Sequence, residues 1–156
     1  MKIWKHLKTE NIYLNVSLAD KYTVLCFIAD ILKKNGFIKD TEILINGLME
    51  REKTMSTGIG NGICFPHTTS PELTEAALML IRPLEPLDFE ALDNLHVNII
   101  MAIVVPENQT DLHLQMLAGM SRLCRDPEFL TIVRSAEDEQ MLWQKIKELE
   151  EGMAFH

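Results

Sequence analysis

Two apolar runs in the middle of the chain most restrict the folds that it can adopt. They are AALMLIRPL, at positions 76–84, and VNIIMAIVVP, at positions 97–106. Both are far too short to span a membrane as a helix, and the second is rich in β-branched residues. Near-continuous apolar strands are typical of a sheet that is covered on both faces. We therefore expect two central strands, with the segment EPLDFEALDN between them as a loop or turn.

Amphipathic helices are predicted before these runs. The segment at positions 17–34, SLADKYTVLCFIADILKK, carries its apolar residues at helical spacing. Ser17 and Asp20 form a capping signal at its start, and Gly36 lies just beyond its end. A second helix is expected from Thr41 to about Glu52.

Three more helices are predicted after the second apolar run. The helical pattern returns at Thr110, with methionines and leucines on one stripe. Asp126 followed by Pro127 indicates an N-cap and the first position of a short helix. Ser135 with Asp138 is a capping signal for a last helix. Because helices and strands alternate, the predicted architecture is an α/β sandwich around a central sheet.

Length and composition fit one domain of this class. The chain has 156 residues, 47% of them hydrophobic and 24% charged, which is typical of a globular domain with its own core. We expect a single domain over residues 1–156. The segment MKIWKHLKTENIYLN contains no long apolar stretch, so we expect no signal peptide, no direct membrane insertion and a cytoplasmic location.

The charged residues and the cysteines exclude several classes of function. The formal net charge is −8 and no segment gathers basic residues into a stripe, so nucleic-acid binding is not expected. We expect instead a partner protein with a basic surface. The three cysteines are far apart and lie in apolar runs. They are predicted to be buried reduced thiols rather than disulfides or zinc ligands: Cys26, Cys64 and Cys124.

The stretch REKTMSTGIGNGICFPHTTS, at positions 51–70, is the most unusual part of the sequence. Three glycines and several hydroxyl-bearing residues lead to a short apolar run and then to Pro66 and His67. Proline fixes its own φ angle and has no N–H donor, so the backbone is restricted immediately before the histidine. We expect His67 to end a short strand-like run, where functional residues commonly lie.

A second histidine, His113, is predicted in the first turn of a helix, on its apolar stripe. A lone histidine there is more often a core residue than a functional one. If its ring lies beside that of His67, the pair would suit a phosphoryl group, with one nitrogen as nucleophile and the other as hydrogen-bond donor. Arg51 would offer a planar fork to the phosphoryl oxygens, and Ser56 and Thr57 would offer hydroxyl groups.

Other chemistries remain open from the residues alone. Two histidines with a carboxylate such as Asp111 would suit zinc, although their spacing matches no local metal motif. Cys64 could be a nucleophile, but its apolar neighbours favour a buried thiol. The three glycines do not open a helix after a strand, which argues against a dinucleotide fingerprint. The remaining histidines are expected at the surface: His6, His96 and His156.

The pattern RExxxSTGIGNGI, followed two residues later by Pro-His, resembles the signature of the enzyme IIA domains of the fructose and mannitol class (type 2) in the bacterial phosphoenolpyruvate phosphotransferase system. LDFEALDNLHVNIIMAIVVPENQTDLHLQML, at positions 87–117, resembles the second block of the same family. The resemblance extends over positions 19–149. The motifs STGIGNGI and DFEALDN resemble those of the free-standing nitrogen-regulatory branch. The lack of an attached IIB or IIC segment fits that branch too.

The resemblance assigns roles to five residues. It implies that His67 accepts a phosphoryl group from the phosphocarrier HPr, that His113 supports it, and that Arg51 lies near both. Ser56 and Thr57 match hydroxyl-bearing residues of the approach loop that stabilise the phosphoryl group. The implied fold is a phosphotransferase/anion-transport-protein-like sandwich, a central mixed sheet flanked by helices on both faces, with no metal or other cofactor.

The function implied by the resemblance is that of a phosphohistidine carrier of the phosphotransferase system, acting as a nitrogen-type regulator whose phosphorylation state controls a target protein. An alternative is a component of fructose- or mannitol-class sugar transport that passes the phosphoryl group to a IIB protein. A further alternative is a binding module that is not phosphorylated. The sequence departs from the usual family pattern around Pro-His at Cys64, Phe65 and Thr68, which leaves the choice of partners open.

Overall fold

The computed structural model describes residues 1–54 and 57–153. In this part of the chain six strands form one sheet: β1 (Leu7–Val16), β2 (Gly58–Gly60), β3 (Ile63–Cys64), β4 (His67–Ser70), β5 (Ala77–Pro83) and β6 (Ile99–Pro106). A 3-10 helix at Ile3–Lys5 precedes β1. Five α-helices are present in the same ranges: α1 (Lys21–Lys34), α2 (Thr41–Thr54), α3 (Thr110–Cys124), α4 (Pro127–Ser135) and α5 (Glu139–Gly152).

The sheet is mixed, and β6 lies at its centre. The strand order is β1-β5-β6-β3-β2, with β4 also paired to β6. β5 runs antiparallel to β6 along one edge. The other edge of β6 pairs in parallel with β3 near its start and with β4 near its end. The two predicted central strands are therefore confirmed, and they are direct neighbours.

Helices cover both faces of this sheet. Every residue of β6 is buried, and successive residues contribute to two different apolar clusters. Ala102 and Met79 belong to the cluster that includes the buried residues of α1 and α2. Met101 and Leu80 belong to the cluster that includes α3, α4 and α5. The predicted α/β sandwich of three layers is confirmed, because strands buried on both faces require a helical layer on each side.

Two helices begin later than the sequence predicted. Ser17 precedes α1, whose N-cap is Asp20, and the Asp20 carboxylate accepts a hydrogen bond from the backbone N–H three residues later at 2.8 Å. Ser135 is the last residue of α4, and Asp138 alone caps α5. In both cases the aspartate competes successfully with the serine because a charged acceptor is favoured at a helix N-terminus. The predicted N-cap and first-position proline of α4 are confirmed.

Three strands were not predicted from the sequence: β1, β2 and β4. Among the described strands β1 pairs only with β5, so it is an edge strand; its charged residues Lys8 and Glu10 are exposed, whereas Asn11 is buried. The indole Nε1 of Trp143 donates to the Leu7 carbonyl at 2.7 Å, which partly covers that edge. β4 begins at His67, so the prediction that His67 ends a strand is wrong. Within the described ranges, no helix is both long and apolar enough to cross a membrane.

The N-terminal segment is fixed by one buried carboxylate from α5. The Glu150 side chain accepts hydrogen bonds from the backbone N–H groups of Ile3, at 2.9 Å, and Trp4, at 2.7 Å. These are donors that the 3-10 helix leaves without an internal acceptor. Glu150 therefore joins the first turn of the chain to the last helix.

We expect the substitution Glu150→Ala to lower the free energy of unfolding by about 2–3 kcal/mol, because two backbone donors lose a charged acceptor. Urea denaturation followed by circular dichroism would measure the change. The matched control is Glu148→Ala, since Glu148 is exposed on the same helix and its side chain accepts a hydrogen bond from the exposed Gln144. Equal midpoints for the two variants would contradict this account of the N-terminal segment.

Candidate functional site

Two buried residues separate β3 from β4 and determine where His67 lies. Phe65 and Pro66 interrupt the pairing with β6, because proline has no N–H to donate to the ladder. The Pro66 carbonyl still accepts from Ile103 N at 2.9 Å, and His67 is the Cα partner of Ile103. The imidazole is therefore attached to a backbone that is held against the central strand.

Both ring nitrogens of His67 have a partner, and these partners define the tautomer. Nδ1 lies 2.7 Å from the Phe65 carbonyl oxygen. A carbonyl oxygen can only accept, so Nδ1 carries the proton. Nε2 accepts a hydrogen bond from Arg51 Nε at 3.1 Å, so its lone pair points toward the guanidinium. His67 is thus neutral, with an unprotonated Nε2 on the side of Arg51.

The structure places His113 next to His67. His113 lies in the first turns of α3, which begins shortly after β6 ends. The centroids of the two imidazole rings are 5.2 Å apart, and the ring planes make an angle of 73°. His113 Nε2 is buried and has no hydrogen-bond partner among the described residues. A polar atom that remains unpaired beside another imidazole is available to a ligand.

The electrostatics of the site favour neutral rings. Burial is the largest cause of the lowered pKa of His67; the Phe65 carbonyl and Glu52 oppose this shift, and Arg51 adds to it. The pKa of His113 is lowered first by burial and then by His67 and Arg51. Both groups depart downward from an ordinary value of 6.5, so at neutral pH both rings are uncharged and Arg51 carries the positive charge.

The two predicted hydroxyl-bearing residues have different outcomes. Ser56 lies outside the described residues. Thr57 is buried, and both its N–H and its hydroxyl donate to Glu52. In this structure the Thr57 hydroxyl is therefore directed at a carboxylate of α2.

Arg51 and Glu52 are consecutive residues in the last turn of α2, and they point in different directions. Arg51 is half-buried and contacts His67, whereas the side chain of Glu52 is only 3% exposed and forms an ion pair with Lys21 at 3.1 Å. Glu52 was not predicted from the sequence as a site residue. The available signal was its spacing, because Glu52 continues the inward stripe of Leu44 and Leu48.

The residues that depart from the usual family pattern pack tightly around this site. Cys64 and Phe65 are buried, and burial raises the pKa of the Cys64 thiol well above its ordinary value. Thr68 lies against α2 at Gly47, where a Cβ atom would come within 2.9 Å of the Thr68 hydroxyl oxygen. A glycine at position 47 therefore makes room for the threonine that follows His67.

The other polar groups considered from the sequence lie elsewhere. Asp111 is exposed, and among the described residues no three His, Cys, Asp or Glu side chains converge as metal ligands would. Of the histidines predicted at the surface, His96 is exposed, and His156 lies outside the described residues. His6 is half-buried, and that burial lowers its pKa.

The chain matches one protein family along most of its length. Residues 5–149 match the family described as phosphoenolpyruvate-dependent sugar phosphotransferase system, EIIA 2. The nitrogen regulatory protein homolog of Haemophilus influenzae is 32% identical over 147 residues, which cover 92% of this chain and 90% of that protein.

Two solved structures have the same fold. The nitrogen regulatory protein IIA-Ntr from Neisseria meningitidis superposes with a TM-score of 0.85 at 24% identity, covering 92% of this chain and 98% of that one. The IIA mannitol protein of Escherichia coli, in its complex with phosphorylated enzyme IIB, gives a TM-score of 0.77 at 19% identity, covering 91% and 97%. The resemblance based on the two sequence motifs is confirmed, and the chain belongs to the EIIA type 2 family of the phosphotransferase system.

Proposed function

We propose that the chain is a phosphohistidine carrier that accepts a phosphoryl group on Nε2 of His67 from an HPr-type phosphocarrier. The observation that carries this proposal is the tautomer of His67. Its Nδ1 proton is held by the Phe65 carbonyl, and its Nε2 lone pair faces Arg51. A nucleophilic nitrogen beside a fixed cation is the arrangement that phosphoryl transfer needs.

In the proposed step the Nε2 lone pair attacks phosphorus and forms the new N–P bond. The bond between phosphorus and the donor breaks, and its electron pair stays with the donor. Nδ1 keeps its proton throughout, so positive charge develops on the imidazole as the bond forms. The Phe65 carbonyl oxygen, 2.7 Å from Nδ1, stabilises that charge. No proton has to move, and the protein mainly positions and neutralises the reacting groups.

Arg51 and His113 bind the phosphoryl oxygens in this proposal. The Arg51 guanidinium gives up its bond to the Nε2 lone pair and donates to the oxygens that arrive there. The buried Nε2 of His113, which has no partner among the described residues, donates when it carries the ring proton. Ser56 is proposed to add a hydroxyl donor, and Thr57 to stabilise the loop from within. No metal or other cofactor takes part.

We propose that the phosphorylation state of the chain controls a regulatory target protein, in the manner of a nitrogen-type regulator. The nitrogen regulatory relative, which matches along most of both chains, supports this role. Transfer to a IIB protein is the second candidate, favoured by the structural neighbour that is bound to phosphorylated IIB. Both candidates belong in the cytoplasm, because phosphoenolpyruvate is made and used there.

The first test is incubation with phosphoenolpyruvate, enzyme I and HPr, followed by measurement of the intact mass. We expect the native chain to gain the mass of one phosphoryl group and His67→Ala to gain none. His113→Ala should still be labelled, but about a hundredfold more slowly, because one donor to the developing charge is lost. His96→Ala, an exposed histidine, is the matched control and should behave as the native chain.

Labelling of His67→Ala to the native level would overturn the assignment of the nucleophile. To separate the two candidate acceptors, the labelled chain is mixed with a mannitol-class IIB protein. Rapid passage of the label to IIB supports the transport role. Retention of the label, together with loss of binding to a target protein on phosphorylation, supports the regulatory role.

The lowered pKa of His67 predicts a pH dependence for phosphoryl acceptance. Protonation of Nε2 removes the nucleophile, so the rate should be highest at neutral and higher pH and should fall as the pH drops through the depressed pKa. An NMR titration of the His67 ring measures that pKa directly. In Arg51→Met the pKa of His67 should rise, because a nearby positive charge that disfavours the protonated ring is gone.

The matched control for this titration is Arg125→Met, which removes an equal charge from an exposed position at the C-terminal end of α3, away from the first turn that contains His113. This variant should leave the His67 titration unchanged. A pKa of His67 above 6.5 in the native chain would contradict the electrostatic account of the site.

A further inference from the structure

A closed ring of hydrogen bonds and backbone bonds connects the two imidazole nitrogens of His67 through the end of α2. From Nδ1 it passes to the Phe65 carbonyl at 2.7 Å, and the Phe65 N–H donates to the Thr57 carbonyl at 3.0 Å. The Thr57 N–H lies 3.2 Å from each carboxylate oxygen of Glu52. Glu52 is bonded through the chain to Arg51, whose Nε donates to His67 Nε2 at 3.1 Å.

The Glu52 carboxylate is the buried centre of this ring. It accepts three hydrogen bonds from the N–H and hydroxyl of Thr57. A carboxylate with a side chain that is 3% exposed needs a compensating charge, and Lys21 provides it at 3.1 Å. The Lys21 ion pair and these hydrogen bonds together hold Thr57 against the last turn of α2. Thr57 is the start of the approach segment, residues 57–66, which leads to His67.

Lys21 extends the connection to the second sequence motif. Its ammonium group lies 5.2 Å from the centroid of the Phe89 ring, which is fully buried in the segment between β5 and β6. Phe89 is the aromatic residue of the motif DFEALDN, and the proposed phosphoryl chemistry gives this motif no direct role. The first turn of α1, the last turn of α2, the approach segment and this loop therefore meet at one ion pair.

Consecutive residues of a helix do not face the same direction. The last turn of α2 can therefore contact the imidazole of His67 on one side and the approach segment on the other. Arg51 points outward and contacts Nε2 of His67, whereas Glu52 points inward and holds the segment whose carbonyl binds Nδ1. A displacement of this turn would disturb both contacts of the imidazole.

We infer that Glu52, paired with Lys21, is a positioning residue for His67: it sets the orientation and tautomer of the imidazole and thereby the rate of phosphoryl acceptance. It acts through Thr57, Phe65 and Arg51 and does not touch the phosphoryl group. The statement about the rate rests on the function proposed above. The statement about the tautomer does not depend on any donor protein.

The test compares Glu52→Gln with Glu50→Gln. Both variants remove one negative charge from α2, but Glu50 is exposed, and its ion pair among the described residues is with the exposed Lys53. We expect Glu52→Gln to slow phosphorylation by phosphoenolpyruvate, enzyme I and HPr about tenfold or more, since small misplacements of reacting groups have effects of this size. Glu50→Gln should keep the native rate.

The second readout is the ¹⁵N NMR spectrum of the His67 ring. In the native chain and in Glu50→Gln, Nδ1 should carry the proton at neutral pH. In Glu52→Gln we expect a mixture of tautomers and a lower pKa of His67, because the carboxylate that favours the charged ring is gone. A variant that is merely less stable but still folded would keep the native tautomer.

Thr57→Val provides an independent test if Glu52→Gln does not fold. It keeps the shape and the N–H of Thr57 and removes only the hydroxyl that donates to Glu52. A shift toward mixed tautomers in this variant supports the inference. Native tautomer and native rate in the folded variants would overturn it. If the native chain accepts no phosphoryl group, the proposed function fails, and the tautomer comparison still decides the role of Glu52.

Discussion

Strand β6 is the part of the molecule on which the position of both histidines depends. All of its residues are buried, one edge is bonded to β5, and the other edge carries first β3 and then β4. Backbone pairing fixes the register of each partner, so the break at Pro66 leaves His67 opposite Ile103. The end of β6 leads directly into α3, whose first turns contain His113. One strand thus determines the positions of two histidines that are far apart in the sequence.

Burial near this strand also determines the charge of the site. Imidazoles removed from water lose the hydration that favours the charged form, and a nearby guanidinium adds to the effect. The result is one permanent cation, Arg51, beside two neutral rings. An incoming phosphoryl group then meets a positive charge without having to displace a proton from the nucleophile. In a chain with a net charge of −8, this local cation is what makes the site attractive to an anion.

The sequence predicted the parts of the fold that are determined by local pattern. The apolar runs gave β5 and β6, and helical periodicity gave all five helices of the described residues to within a few positions. It did not predict β4, because HTTS carries no apolar alternation and is a strand only through its pairing with β6. It also did not predict β2, whose sequence is Gly-Ile-Gly, and it did not predict β1 for a related reason. An edge strand keeps polar residues on its open side, so its pattern resembles that of a loop.

The candidate site shows the same division. His67, His113 and Arg51 were predicted, and the structure brings their side chains together. Glu52 was not, because a glutamate on an inward stripe has meaning only when its partner is known. That partner, Lys21, comes from another helix, and no local rule connects the two. Thr57 was predicted as a donor to the phosphoryl group, whereas its hydroxyl is directed at Glu52.

The hydrogen-bonded ring also bears on how a phosphohistidine here would act as a switch. On the proposed chemistry, the new N–P bond uses the lone pair that accepts from Arg51, so that one contact must open and the guanidinium must turn to the phosphoryl oxygens. The other contacts remain, and the bond from Nδ1 to the Phe65 carbonyl becomes stronger because its donor is then charged. The change is therefore confined to the accessible end of α2 and the rim around His67, while the buried Glu52 and Lys21 pair stays fixed. A partner that distinguishes the two states has to read the added negative charge and the new position of Arg51, and the core needs no rearrangement.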